Sequence, residues 1–269
     1  MINYTERIAL LMQDVVSRTP SLSFIDLSEV LVFGRFGRAG TEGPFATCHC
    51  LTLPASEPGY YFWRDRTTGE LTRRSEWFVT KSPVVRIGHR SIKYLISFVL
   101  PRYCDQLLER SRKAELYPNM PNWVAKLDTI VHELYHIDPL ETGLRRVVRA
   151  DGSDSPRTHG PHFYEEVARM VKAYLATDPN PDLVRFLEYD FAGLNGHYGG
   201  VVATTFRNFP SFPQRYQEAL DLPADSMVKV EPLKPLNQPV TYTEDDLHIR
   251  QFTESCARRL TRKGQHRAA

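Results

Sequence analysis

The chain lacks the features that mark membrane, secreted and disordered proteins. Its longest strongly apolar run, residues 94–100, is far too short to span a bilayer. Cysteine is scarce: Cys48, Cys50, Cys104 and Cys256 are too few and too scattered for a disulfide framework. The opening residues 1–7 lack the charged-then-apolar layout of a secretory signal. No internal repeat is visible. These absences predict a cytoplasmic protein with reduced thiols and no membrane partner. What is present is ordinary: 42% hydrophobic and 25% charged residues, which excludes a wholly disordered or collagen-like chain. A length of 269 residues suits one substantial domain or two small ones.

Charge is also nearly balanced, but unevenly placed. The net charge is +2, and residues 256–269 alone carry Arg258, Arg259, Arg262, Lys263 and Arg267 with no acid, which leaves −3 for the rest. Such a basic C-terminal tail is a candidate DNA contact, or simply a solvated end.

Periodicity divides the chain. Ile8, Leu11, Met12 and Val15 share one helical face over residues 4–17, and Pro20 ends that segment. From residue 30 to 99 the pattern turns to strands: 30–33, a hairpin of 60–63 and 77–79 about Thr67-Thr68-Gly69, then 84–87 and 94–100. Together they predict a small, largely antiparallel sheet. Basic residues and aromatics mix over 64–93, which reads as the outer face of that sheet or as a single-strand platform. Helices are predicted over 123–137, capped by Asn122 and stopped by Pro139, and over 161–176. Six prolines between Pro210 and Pro239 predict an extended strap or linker, and an amphipathic helix is expected over 244–260. The predicted organisation is an α+β catalytic domain over 1–209, a proline-rich strap over 210–242, and a C-terminal helix with basic tail over 243–269.

The chemistry concentrates in one helix. His132-Glu133-Leu134-Tyr135-His136 matches H-E-x-x-H. Residues four apart share a helical face, so both imidazoles can bind one metal ion. Glu133, beside the first histidine, can act as general base toward a metal-bound water. Imidazole donors and an open fourth position suit zinc. With nine histidines in 269 residues, chance supplies only about 0.02 such pentads. Two histidines need a third ligand. The H-E-x-x-H-x-x-G-x-x-H completion fails, since Pro139 and Thr142 stand where glycine and histidine belong. Glu165, Glu166, His159 and His162 remain as candidates, the two histidines standing before and within the start of the next helix.

The pentad followed by His159-Gly160-Pro161-His162-Phe163 resembles the SprT/Spartan-type zinc metalloproteases, whose pattern is H-E-x-x-H, an intervening segment, then H-G-x-x-F opening a helix. The resemblance covers about residues 123–174. It implies a zincin-like α+β core, with a small twisted sheet packed on the motif helix and the helix that follows. It implies zinc ligands His132, His136 and His159, with Glu133 as base. It also implies protein substrates associated with DNA. The segment 137–158 is longer than the family pattern suggests, and no four-cysteine zinc ribbon follows.

Other residues carry weaker signals. Cys48-His49-Cys50 on a strand puts both thiols on one face, which reads as buried cysteines rather than a second metal site. His197 and Tyr198 fall in Gly193–Gly200, read as a flexible loop with a role as oxyanion or substrate contacts if it approaches the cleft. Arg145, with Arg146 and Arg149, reads as a contact for a substrate carboxylate or a phosphate backbone, or equally as a solvated strand or turn face. Asp138 is either a partner orienting an imidazole or the helix end. The favoured reading is a zinc peptidase acting on a protein or peptide. The alternatives are a zinc-stabilised nucleic-acid or protein binding module without turnover, and a zinc amidohydrolase on a non-protein substrate.

Overall fold

The computed structural model describes residues 1–37, 43–51, 60–64, 71–111, 113–140, 143–148, 152, 159–207, 216–219 and 240–253, with backbone alone for 60–64, 71–81 and 216–219. The strands are β1 (Ile2–Asn3), β2 (Val30–Gly37), β3 (Ala46–Cys50), β4 (Tyr60–Arg64), β5 (Leu71–Lys81), β6 (Val84–Ile87), β7 (Arg90–Ser91), β8 (Tyr94–Pro101), β9 (Val201–Phe206), β10 (Tyr216–Ala219), β11 (Thr241–Tyr242) and β12 (Leu247–Phe252). The helices are α1 (Tyr4–Arg18), α2 (Val124–Tyr135), α3 (Phe163–Ala176), α4 (Pro181–Val184) and α5 (Phe191–Tyr198). The class is α+β.

The sheet nearest the motif helix has the order β2-β8-β3. Every residue of β8 is buried, because both faces of this sheet are covered. On one face Val30, Val32, Ile96 and Phe98 join the main core; on the other Leu31, Phe33 and Leu95 meet Val85, Ile92 and Phe206. β3 runs antiparallel to β8, but β2 runs parallel to it, from Val30 opposite Tyr94 to Gly37 opposite Pro101. A largely antiparallel sheet was expected from the strand spacing. A parallel pair needs a long crossover, and here it holds β3, which pairs back on β8, and β4 to β7, which belong to other sheets. The expected 60s–70s hairpin forms as β4 and β5, and β10 adds to the free edge of β5. That strand lies within the predicted strap; the rest of the 210–239 stretch lies outside the described residues.

β1, β9 and β12 make another sheet, with β12 antiparallel to β9 from Leu247 opposite Phe206 to Phe252 opposite Val201. The helix expected over 244–260 is therefore corrected. Of its described residues only Glu244–Asp246 turn helically, and Leu247–Phe252 is a strand that spends its backbone hydrogen bonds on β9, while 254–260 lie outside the described residues. Phe252 is buried and stacks on Phe36, ring centroids 5.9 Å apart. β9 also packs against β2, where Gly34 permits the approach: a Cβ there would stand 2.9 Å from the Ala203 side chain.

α1 forms as expected, with Asn3 accepting a hydrogen bond from the Glu6 N–H and Ile8, Leu11, Met12 and Val15 buried. α2 is buried nearly all round, even at Lys126, Asp128 and Thr129. Its expected cap, Asn122, instead accepts from the Glu109 backbone at 3.1 Å. Lys126 sends its ammonium to the carbonyls of Leu187 and Tyr189 at 2.8 and 2.6 Å, tying α2 to the segment ahead of α5. α3 packs Val167, Met170, Val171 and Tyr174 into the same core. No helix among the described residues is long and apolar enough to cross a membrane.

Candidate metal centre

α2 ends where the chemistry begins. His132 and His136 lie one turn apart, with the His136 N–H closing on the His132 carbonyl at 3.3 Å. The segment after the helix turns back through a bridge between Ile137 and Leu144, and the Asp138 N–H meets the Gly143 carbonyl at 3.1 Å. His159 arrives from the stretch before α3. The three Nε2 atoms stand 3.2 Å (His132 to His136), 3.1 Å (His132 to His159) and 3.3 Å (His136 to His159) apart.

These separations test the donor set for zinc. Nitrogens about 2.0–2.1 Å from a tetrahedral ion stand about 3.3–3.4 Å apart, close to the observed triangle. Three imidazole lone pairs aimed at one point repel one another unless a cation lies between them. Neutral imidazole is the form that binds metal, and the site enforces it. Burial, then the charge of Lys113 and the neighbouring histidines, pushes His132 down to about 2. Burial, then His159 and Arg145, pushes His136 down to about 4. His159 is lowered by burial and by Lys113. Among the described residues these three histidines are the one group of ligand side chains that converges in this way. The donor set fits zinc.

Phe163, the first residue of α3, seats all three rings: its centroid lies 4.9, 4.9 and 4.6 Å from those of His132, His136 and His159. His159 is thus the third partner. His162 is exposed at the start of α3, and Glu166 pairs with Arg169 at 2.5 Å.

Glu133 is 5% exposed. Burial raises its carboxyl to about 8, against the pull of a hydrogen bond from the Cys48 backbone N–H and of the Lys113 and Arg35 charges. A dication beside it would pull further in the same direction. The Cys48 contact places β3, the end strand of its sheet, along the centre. Cys48 is buried and Cys50 half-buried, and neither is held in a disulfide.

One sequence expectation is corrected here. Residues 191–198 form α5 rather than a loop, with Asp190 accepting from the Gly193 N–H at 2.7 Å and Gly199 ending the helix at φ 70°. Phe191 and Leu194, buried, offset the cost of its glycines. His197 and Tyr198 there cluster with Tyr189, ring centroids 4.8 and 6.0 Å away, and contact none of the three metal-site histidines. Arg145 braces the end of α2. Its Nε donates to the Tyr135 carbonyl at 2.6 Å, its backbone N–H to the His136 carbonyl at 2.7 Å, and its guanidinium lies over the Tyr135 ring at 4.2 Å. Arg149 and the tail 256–269 lie outside the described residues. Beside the centre an open groove of about 320 Å³ is lined by Tyr135, Asp138, Arg145, His162, Phe163 and Glu166, among others.

Sequence reasoning missed Lys113, Asp128 and Tyr117. Lys113 and Tyr117 both bond the buried Asp128 carboxylate one turn before His132. No motif joins them, because the contact spans a chain reversal. Comparison with protein-family models, with curated proteins and with solved structures finds no match to this chain.

Proposed function

We propose that the chain is a zinc-dependent metallopeptidase with a SprT-like, zincin-type core, acting on protein or peptide substrates. The observation that carries the reading is the triangle of Nε2 atoms, with Glu133 following His132 directly on α2. Zinc held by His132, His136 and His159 would polarise the scissile carbonyl and acidify water.

The chain's own groups do the rest. Glu133 takes the proton of the attacking water and passes it to the departing amine. A carboxyl held above the usual range by burial suits both halves of that transfer near neutral pH. The Cys48 N–H fixes the carboxylate on the β3 side. Among the described residues β3 has a partner strand on one edge only, so its other edge can align an extended peptide by main-chain hydrogen bonds. Phe163 holds the three rings in register and keeps water from their faces. DNA-associated proteins are the proposed substrates, and the basic tail is the proposed DNA contact, in a cytoplasmic setting.

The test is proteolysis by wild type and Glu133→Gln, each with zinc quantified, on a generic protein and on a protein crosslinked to DNA. Cleavage by wild type with a loss of about 10²–10⁴-fold in the variant is expected. Equal cleavage by both removes Glu133 as the base. Zinc retention without any cleavage favours a binding module.

A further inference from the structure

A lysine beside a metal centre needs a reason. Lys113 sits at the turn that opens the helical segment Ala114–Leu116. Its ammonium bonds one oxygen of Asp128, and the Tyr117 hydroxyl donates to the other at 2.5 Å. Asp128 is 1% exposed and lies one turn before His132, on the same face of α2. The carboxylate therefore fixes the ammonium on the histidine side of the helix. Lys113 lies 5.9 Å from the centroid of Tyr164, and that ring is 5.9 Å from His132 and 5.3 Å from His159. The lysine side chain keeps 17% of its surface exposed, so solvent still reaches it. Its charge is felt at His132, His159 and Glu133 alike.

Nothing in the binding of a dication favours a cation at this place. Nor does stability explain it, since a buried ion pair does little better than an apolar pair of the same volume. A fixed ammonium is useful where negative charge develops. Asp128 takes one of its three donors and tempers its repulsion toward the metal, and two donors remain.

We propose that Lys113 is the electrophilic group of this centre, donating a hydrogen bond to the scissile carbonyl oxygen as that oxygen becomes anionic. Asp128 and Tyr117 are its positioning residues. The inference rests on the hydrolytic reading above. In the addition step the water oxygen bonds to the carbonyl carbon, the π pair moves onto the carbonyl oxygen, and Glu133 accepts the water proton. In the collapse the oxygen pair re-forms the C=O π bond, the C–N bond breaks, and the nitrogen leaves with its pair and takes the proton from Glu133. Lys113 exchanges no proton; it holds the oxyanion between the two steps.

The test reads anion affinity as well as turnover. Cobalt(II)-loaded wild type, Lys113→Met, Lys113→Arg and the double variant Lys113→Met/Asp128→Asn are titrated with a phosphonamidate dipeptide, whose tetrahedral P–O⁻ imitates the oxyanion. The visible spectrum of the cobalt reports binding, and a neutral peptide amide of the same sequence is the control. The double variant removes the carboxylate that the single change would leave buried and unpaired. Both methionine variants should bind the phosphonamidate about 10–100-fold more weakly, with one cobalt per chain and unchanged affinity for the neutral peptide. Lys113→Arg should stay within about fivefold of wild type, because it keeps the charge. On peptide the methionine variants should lose about 10²–10³ in kcat with little change in KM. Unchanged phosphonamidate affinity in the metal-loaded double variant overturns the assignment, whatever the activity. Lys113→Arg falling as far as Lys113→Met also overturns it, since that points to packing. If wild type cleaves nothing while the anion effect is present, the peptidase reading fails and Lys113 stands as the anion donor of the centre.

Discussion

Metal binding should be written into the stability of this chain through one residue, His159. His132 and His136 belong to the same helix, so an ion held by those two alone would join nothing that α2 does not already join. His159 belongs to the segment leading into α3, and its Nε2 lies 3.1 and 3.3 Å from the other two. A three-histidine site therefore ties that segment to the core. A ligand at 1,000 times its Kd that binds only the folded state stabilises it by about 4 kcal/mol. For a chain of this size each kcal/mol moves Tm by about 2–4 °C, so saturating zinc should raise it by about 8–16 °C. The assay is thermal unfolding at pH 7 with free zinc set by a metal buffer, against the same protein in chelator. His159→Ala should lose more than half of that rise. Glu133→Gln should keep it, since Glu133 is not among the ligands and the amide preserves its volume. A full rise in His159→Ala would place the metal elsewhere, and no rise in wild type would mean that the triangle of imidazoles holds no metal at all.

Two further outcomes follow from the same geometry. In the metal-free protein, His132 is depressed from 6.5 to about 2 and His136 to about 4, while Glu133 is raised from 4.5 to about 8. Between about pH 4.5 and 6.5 the unfolded chain holds two imidazole protons that the folded protein lacks, against one Glu133 proton held only by the fold; stability should rise with pH. From about 6.5 to 8 only the Glu133 difference remains, and stability should fall. Denaturation midpoints in chelator at pH 5, 6.5 and 8 check this, and a profile that climbs throughout would refute it. Lys126→Met strips the Leu187 and Tyr189 carbonyls of their buried partner and should cost about 2–4 kcal/mol in urea unfolding. A cost under about 1 kcal/mol would mean that the two carbonyls find other partners.

The electrostatics explain why so much charge gathers on a buried helix. α2 and its C-cap carry Lys126, Asp128, His132, Glu133 and His136 on a surface that is otherwise apolar and inaccessible. Lys126 anchors the segment before α5, Asp128 holds Lys113, and the remaining three form the centre with His159. Burial makes their interactions strong, and it makes any unpaired member costly.

Local chemistry was legible from the amino-acid order. The four-residue spacing of His132 and His136 needs only a helix to bring them together, and Val124, Leu127, Ile130, Val131 and Leu134 supply that helix its buried face. α1, α3, β8 and the β4–β5 hairpin were legible for the same reason: each follows from side chains close to one another along the chain. Spacing alone left His159 and His162 both open; the family pattern favoured His159, and only the packing of Phe163 under all three rings brings it into the triangle. The tertiary structure alone decided the rest. Residues 247–252 could satisfy their backbone as a helix or a strand, and the waiting edge of β9 chose the strand. Residues 191–198 carry glycines that disfavour a helix, and the burial of Phe191 and Leu194 in the core outweighs them. The parallel β2–β8 pair and the meeting of Lys113 with Asp128 join positions whose sequence separation carries no periodicity. Such contacts form where burial and hydrogen bonding outweigh the entropy of closing the chain between them, and that balance is a property of the folded whole.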